Sequence, residues 1–122
     1  MGTDLVLISR MEESIARKGE KFAQRLLTEE EFEIFITKVN QAAFLAKRFA
    51  AKEAAVKALG TGFAQGITWK QVNVSNNDLG APQLTFTGPA LARAESLGVT
   101  RIHLSLTDEK TSALAFVVLE AE

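Results

Sequence analysis

The alanine-rich segment Gln41–Leu59 constrains the fold of this chain more than any other stretch of the sequence. Alanine is the best helix former, so the segment predicts one long helix. Gly60 follows it directly and is typical of the left-handed residue that ends a helix. Because alanine side chains are small, we expect this helix to lie close against a sheet.

Short apolar or alternating runs on both sides of this helix predict strands. The predicted strands are Leu5–Ile8, Ile67–Val74, Leu84–Thr87, Ile102–Thr107 and Leu114–Leu119. The last of these runs is continuously apolar, so we expect both of its faces to be covered.

Two pairs, Ser9 with Glu12 and Thr28 with Glu31, have the spacing of a capping box and each predict the start of a helix. A further short helix is predicted over 89–97, where proline opens it and glycine closes it. The order strand, helices, two strands, helix, two strands predicts an α+β fold with a largely antiparallel sheet packed against the long helix.

The bulk properties of the chain exclude several classes of protein. Its 122 residues fit one compact domain, residues 1–122, and the net charge of −1 gives no reason to expect nucleic acid as a partner. No apolar run approaches the roughly 20 residues of a membrane helix, and the N-terminus lacks the features of a signal peptide. Without cysteine the chain can form neither disulfides nor thiolate metal sites. We therefore expect a cytoplasmic protein that does not bind membranes.

The second half of the long helix carries a local excess of positive charge. Residues 47–57 hold four cations and one anion, Glu53. A polyphosphate ligand would suit this excess, and backbone N–H groups of the turn at 60–62 would add donors. The alternative is a solvated helix, in which Glu53 and Lys57 form an ordinary pair four residues apart. Residue types alone leave both interpretations open.

Asp4 makes the first interpretation more specific. In a strand it shares a face with Val6 and Ile8, and a carboxylate on a core-facing side is costly unless it is paired or bound to metal. Asp4 together with Glu53 would form the oxygen-only, two-carboxylate site that magnesium prefers. The alternative is that Asp4 lies at a frayed terminus and points into water.

The remaining polar groups give weaker signals. His103, Ser105 and Thr107 should line one face of a strand that runs into a hairpin at Asp108. His103 is the single histidine, so we interpret it as structural. The first helical region carries a basic face that is either solvated or meets an acidic protein partner; its cations are Arg10, Arg17, Lys18, Lys21 and Arg25.

Several motifs occur together at spacings that resemble the holo-acyl-carrier-protein synthase family of phosphopantetheinyl transferases. The resemblance covers nearly the whole chain, and its most specific part is the long-helix motif. The matching stretches are Gly2–Val6 with Arg10, then Phe44–Gly62, Gly80–Pro82 and Ser105–Asp108. The nucleotide-binding loops GxxxxGK[ST] and GxGxxG and the serine-hydrolase elbow are absent.

The resemblance implies a small α+β enzyme that moves phosphopantetheine from coenzyme A to a serine of acyl carrier protein. It implies a homotrimer with active sites between neighbouring subunits. Within each site, Asp4 and Glu53 would hold Mg²⁺, and Glu53 and Lys57 would carry the catalysis. The residues implied on the coenzyme A side are Arg48, Lys57, Gly60, Thr61 and Ser105. Those implied to meet the carrier protein are Arg10 and Arg17.

Two features depart from the family pattern. The chain has fewer apolar residues before Asp4 than is usual, and Asp108 stands where many relatives have histidine. Two other functional classes are alternatives to the enzyme. One is a non-catalytic domain that binds a nucleotide or a protein, which would need the cationic helix but not Asp4. The other is a structural oligomerisation subunit, which would need neither.

Overall fold

The computed structural model describes all 122 residues. Its elements follow one another in the predicted order. They are β1 (Gly2–Leu7), α1 (Ile8–Lys18), α2 (Glu20–Leu26), α3 (Glu29–Phe35), α4 (Gln41–Leu59), a short 3-10 helix (Trp69–Gln71), β2 (Val72–Asn76), β3 (Pro82–Phe86), α5 (Gly88–Ser96), β4 (Val99–Asp108) and β5 (Ser112–Ala121).

The strands form two antiparallel sheets, which confirms the predicted α+β fold. One sheet has the order β1-β5-β4, and the other consists of β2 and β3. Helix α4 packs along the inner face of the three-stranded sheet, against β1 and β5. No helix combines the length and the apolar character needed to cross a bilayer.

Helix α4 is the centre of the core, as its composition predicts. Thirteen of its nineteen residues are buried, and small side chains face the sheet. Its first turn is capped by the side chain of Asn40, which accepts from Ala43 N at 3.1 Å. Gly60 ends it with φ of 78° in the left-handed region, as predicted.

Gly2 allows β1 to lie directly on the backbone of α4. A Cβ atom built at this position would lie 2.1 Å from Ala54 O and 2.8 Å from Ala58 N. Backbone atoms cannot move aside as a flexible side chain can, so only glycine fits here. The close approach brings Asp4, two residues further along the same face, against the helix.

One of the two predicted capping boxes is wrong and the other is confirmed. Helix α1 begins at Ile8 with no side-chain cap, because β1 runs into it without a loop and Ile8 N bonds instead to Thr111 O at 2.9 Å. At α3, Glu31 N donates to Thr28 Oγ1 at 3.3 Å, and Thr28 N donates to Glu31 Oε1 at 2.8 Å. The predicted strand Ile67–Val74 is shorter than expected, since β2 begins only after the 3-10 helix.

Within one chain, only one of the two faces of the last strand is covered. Side chains of β5 alternate, and Ala113, Ala115 and Val117 are fully buried beneath α4. Leu114 and Phe116 point away from the helix and are 42% and 41% exposed. Leu5 and Leu7 of β1 are exposed on the same side. We call Leu5, Leu7, Leu114 and Phe116 the outer apolar patch.

Candidate active site

Asp4 faces α4 rather than solvent. Its side chain is only 15% exposed, and Lys57 Nζ donates to Asp4 Oδ1 at 3.0 Å and to Thr3 O at 3.1 Å. The alternative in which Asp4 lies at a frayed end is therefore wrong. Gly2 produces this arrangement, because it brings the strand within contact of the helix turn that carries Lys57.

The second oxygen of Asp4 is buried and has no hydrogen-bond donor. A carboxylate oxygen in this position is unfavourable unless a cation or a donor reaches it. Lys57 is already engaged by the other oxygen and by Thr3 O. Asp4 Oδ2 is therefore available to a further cation.

Glu53 lies one helical turn before Lys57 on α4 and is half-buried. Burial raises the pKa of its carboxyl above the ordinary value, and the charge of Asp4 raises it further. Lys57 and Arg10 lower the pKa of Glu53 by smaller amounts. Arg10 reaches this place from α1, where its guanidinium lies 4.9 Å from the centre of the Phe49 ring.

Two carboxylates and two cations thus share one site built from β1, α1 and α4. Their formal charges cancel. The available ligands, Asp4 and Glu53, are carboxylate oxygens without a third acidic residue, histidine or cysteine nearby. Magnesium suits such a donor set, because it is commonly held by one or two carboxylates while waters and substrate phosphates fill its other positions. The partnerless Oδ2 of Asp4 also fits a hard cation.

The turn after α4 does not supply the donors that the sequence suggests. Gly60 N bonds to Lys57 O at 3.0 Å, and the N–H groups of Thr61 and Gly62 both bond to Val56 O, at 3.3 and 3.2 Å. These groups are used to cap the helix, because its last carbonyls would otherwise lack partners. Gly60 and Thr61 remain close to Lys57 along the chain, but the expectation of free backbone donors at this turn is wrong.

Arg48 lies on a different side of α4 from Glu53. Five residues separate them, which corresponds to a rotation of about 140° around the helix. The Arg48 side chain is 5% exposed, and its guanidinium lies 4.5 Å from the centre of the Phe44 ring. It lines a cavity of about 370 Å³ between α3, α4 and the β2–β3 turn. Other residues lining this cavity, which we call the arginine cavity, are Lys38, Lys47, Asn76, Gly80, Pro82 and Asp108.

Ser105 and His103 lie on the outer face of β4, so the sheet separates them from α4. His103 Nε2 pairs with Glu120 Oε1 at 2.9 Å, and both side chains are about half exposed. Asp108, at the end of the same strand, lies 3.7 Å from Lys47 Nζ. The structure therefore brings together Asp4, Glu53, Lys57 and Arg10, and within one chain it brings neither Arg48 nor Ser105 to them.

Lys52, one of the four cations of residues 47–57, is fully buried. Its Nζ donates to Glu31 Oε1 at 2.6 Å, to Leu26 O at 2.8 Å and to Trp69 O at 3.2 Å. The local excess of positive charge is thus smaller than the sequence suggests. The sequence pattern predicts the partner, Glu31, as a capping residue only, and no local signal shows that its carboxylate is buried.

The basic face of α1 and α2 is exposed. Arg17 is one of four cations around an open depression of about 500 Å³ with Phe22 in its wall. The other three cations are Lys18, Lys21 and Arg25. This surface has the charge that an acidic protein partner requires.

The chain matches known proteins over nearly its whole length. Residues 1–117 match the family model of the 4'-phosphopantetheinyl transferase superfamily. A holo-[acyl-carrier-protein] synthase of Vibrio parahaemolyticus is 50% identical over 99% of this chain and 96% of its own length. The crystal structure of a holo-[acyl-carrier-protein] synthase from Neisseria meningitidis superposes with a TM-score of 0.89 at 41% identity, covering 98% of this chain and 95% of its own. A Bacillus anthracis synthase solved in complex with coenzyme A (3',5'-ADP) superposes with a TM-score of 0.82 at 33% identity, covering 99% and 95%.

Proposed function

Because the chain belongs to the holo-[acyl-carrier-protein] synthases of the 4'-phosphopantetheinyl transferase superfamily, we propose that it transfers phosphopantetheine from coenzyme A to a serine of apo acyl carrier protein. The observation that carries the assignment is Asp4, held by Lys57 with one buried oxygen partnerless and Glu53 beside it. A non-catalytic binding domain or a purely structural subunit would not need this arrangement.

In the proposed reaction the serine oxygen attacks the phosphorus that bears pantetheine. A new P–O bond forms, the bond to the bridging oxygen breaks, and adenosine bisphosphate leaves with that oxygen. The serine proton must also be removed. Glu53 is the group we assign to this role, acting through a water, because it is the half-buried carboxylate of the site that Lys57 does not engage.

Lys57 acts in the proposal as a cation. Its side chain is half exposed, and Nζ donates to Asp4 Oδ1 and Thr3 O, so its third N–H can point toward a phosphate while both of these bonds are kept. Positioning and charge stabilisation provide most of the catalysis in phosphoryl transfer. A cation beside the pyrophosphate serves both purposes.

Asp4 and Glu53 are the proposed magnesium ligands. The four charged groups of the site sum to zero, so the site alone has no net attraction for a doubly negative pyrophosphate. Bound Mg²⁺ would supply positive charge that offsets the charge developing on the leaving group.

Within one chain, Arg48 and Ser105 lie away from Asp4, although all three are expected at one coenzyme A site. A homotrimer would resolve this difference, because residues of neighbouring subunits would form the site together. The outer apolar patch is exposed in the isolated chain, and Ser105 lies on the same sheet face. Packing between copies would cover this patch and create clefts between neighbours. In such a cleft, coenzyme A would contact residues of two subunits. One subunit would provide Lys57, Gly60 and Thr61, and the other would provide Arg48 and Ser105.

The basic face of α1 is the proposed docking surface for the carrier protein. Arg10 links this face to Glu53, and Arg17 extends it along the helix toward α2. An acidic helix of acyl carrier protein would place its serine beside the site when it lies along this face. The family resemblance alone suggests a cytoplasmic location and a role in fatty acid biosynthesis.

The test measures the mass of the carrier protein after incubation with the enzyme, coenzyme A and Mg²⁺. Wild-type enzyme should add phosphopantetheine to the carrier. Asp4→Ala and Glu53→Ala should abolish the adduct while circular dichroism shows a retained fold. Glu95→Ala, which removes an exposed carboxylate of α5, serves as the matched control and should react normally. Near-normal turnover by either site variant would show that the metal assignment is wrong.

A further inference from the structure

Glu31 is the one buried carboxylate of the chain outside the proposed active site. Its side chain is 0% exposed. Oε1 accepts from Lys52 Nζ at 2.6 Å and from Thr28 N at 2.8 Å, and Oε2 accepts from Val74 N at 2.7 Å. These contacts join α3, α4 and β2 around one charge.

Arg48 is the second cation beside this carboxylate. Its Nε lies 3.8 Å from Glu31 Oε2, too far for a hydrogen bond but close enough for strong attraction in a buried setting. Nε is buried and has no hydrogen-bond partner, and the guanidinium lies against Phe44 at the wall of the arginine cavity. Burial lowers the pKa of Arg48, and Glu31 is the main group that opposes this shift.

The cluster contains two buried cations and one buried anion. The pair of Lys52 and Glu31 would by itself be balanced, and the three hydrogen bonds of Lys52 already tie α2, α3 and the 3-10 helix to α4. Arg48 therefore adds a positive charge that the fold does not require and whose desolvation is unfavourable. An anion entering the arginine cavity would compensate that charge.

We propose that Glu31 is a positioning residue, which holds the Arg48 guanidinium at the wall of the arginine cavity so that it meets a phosphate of coenzyme A. This inference rests on the proposed function, in which Arg48 lies on the coenzyme A side. Glu31 does not touch the substrate. It acts through the position of Arg48, while Lys52 neutralises the carboxylate from the opposite direction.

The first experiment measures the Kd of coenzyme A by titration calorimetry with Mg²⁺ and without carrier protein. Lys52→Met alone leaves Glu31 and Arg48 as a balanced pair, so its Kd should stay near that of the wild type. Glu31→Gln in the Lys52→Met background differs from that control by one oxygen replaced by NH₂. We expect it to weaken coenzyme A binding about tenfold, the effect of displacing one charged group from its ligand.

A double-mutant cycle separates positioning from a general loss of structure. Arg48→Met should weaken coenzyme A binding about tenfold. Adding Glu31→Gln to the Lys52→Met, Arg48→Met background should then have no further effect, because the group through which Glu31 acts is gone. The KM for the carrier protein should be the same in all these variants.

The outcomes are distinguishable. An unchanged Kd in Arg48→Met would refute the proposed placement of coenzyme A at Arg48. Weaker binding in Arg48→Met together with an unchanged Kd in the Glu31→Gln variant would refute the positioning role alone. If Glu31→Gln weakens coenzyme A binding by the same factor with and without Arg48, the role of Glu31 is purely structural. If the glutamine variants do not fold, Glu31→Asp keeps the negative charge of the cluster but shortens the side chain by one methylene, which alters the distance to Arg48. An unchanged Kd in that variant overturns the inference.

Discussion

Replacement of Gly2 by alanine tests how the first strand positions Asp4. The new Cβ would lie 2.1 Å from Ala54 O, whereas ordinary contacts begin near 3.4 Å. Strand β1 must therefore move away from α4 by roughly 1.3 Å, since neither the helix carbonyl nor Ala58 N can yield. Asp4, two residues along the same strand, moves with it and separates from Lys57.

The expected result has two parts. Overpacking of this kind costs about 1–3 kcal/mol, which for a chain of this size lowers the melting temperature by roughly 4 °C for each kcal/mol. A displacement of about 1 Å of a catalytic group costs on the order of 100-fold in turnover. We therefore expect kcat to fall much further than the loss of stability explains, because at 25 °C nearly all of the variant remains folded.

The assay follows modification of the carrier protein by mass spectrometry at saturating coenzyme A, alongside thermal unfolding by circular dichroism. Thr85→Ala is the control, because Thr85 is exposed on β3, which belongs to the sheet that does not contain β1. A Gly2→Ala variant with wild-type kcat would refute the reasoning that the approach of β1 to α4 positions Asp4 for catalysis. An unchanged melting temperature of the Gly2→Ala variant would refute the close approach of β1 to α4 itself.

Three further predictions concern other surfaces. Arg17→Glu should raise the KM for the carrier protein about tenfold at low salt and much less at high salt, while the Kd of coenzyme A stays unchanged. An equal rise in KM at both salt concentrations would contradict an electrostatic partner surface. Phe116→Asp should convert the proposed trimer to monomers, because it places a charge in the outer apolar patch. Light scattering measures the mass, and a trimeric mass for this variant would show that the patch is not the interface. Thr28→Ala should lower the free energy of unfolding by about 1 kcal/mol in urea titrations, because it removes one half of the capping box and the hydrogen bond to Asn73. A decrease in that free energy below about 0.3 kcal/mol would contradict the stabilising role of the cap.

Several parts of the fold could be predicted from the sequence because local interactions determine them. The extent of α4 follows from alanine propensity and from a glycine that adopts a left-handed conformation at low cost. The order of strands follows from alternation and turn residues. The capping box at Thr28 follows from two side chains three positions apart, and the candidate site residues follow from the motif around Glu53 and from its distance to Asp4.

The errors arose where distant elements compete for the same groups. At the predicted cap of α1, Ile8 N bonds to Thr111 O in the distant turn between β4 and β5 instead of to a local side chain. The apolar run of β5 has one exposed face, since the chain offers no second layer to cover Leu114 and Phe116. The backbone N–H groups of residues 60–62 bond to carbonyls in the last turn of α4, so they are not available to a ligand.

The sequence by itself determined the element order, the central helix and the kinds of side chain that could bind a phosphorylated substrate. Only the tertiary structure decided which charges meet: Asp4 with Lys57, and Lys52 with Glu31, while Arg48 lies on another side of the helix. Propensities, periodicity and caps depend on neighbours within a few positions. The two charge pairs join residues that are 21 and 53 positions apart. They depend on how closely other elements approach the helix and on how that helix is rotated, and neither quantity can be read from a local pattern.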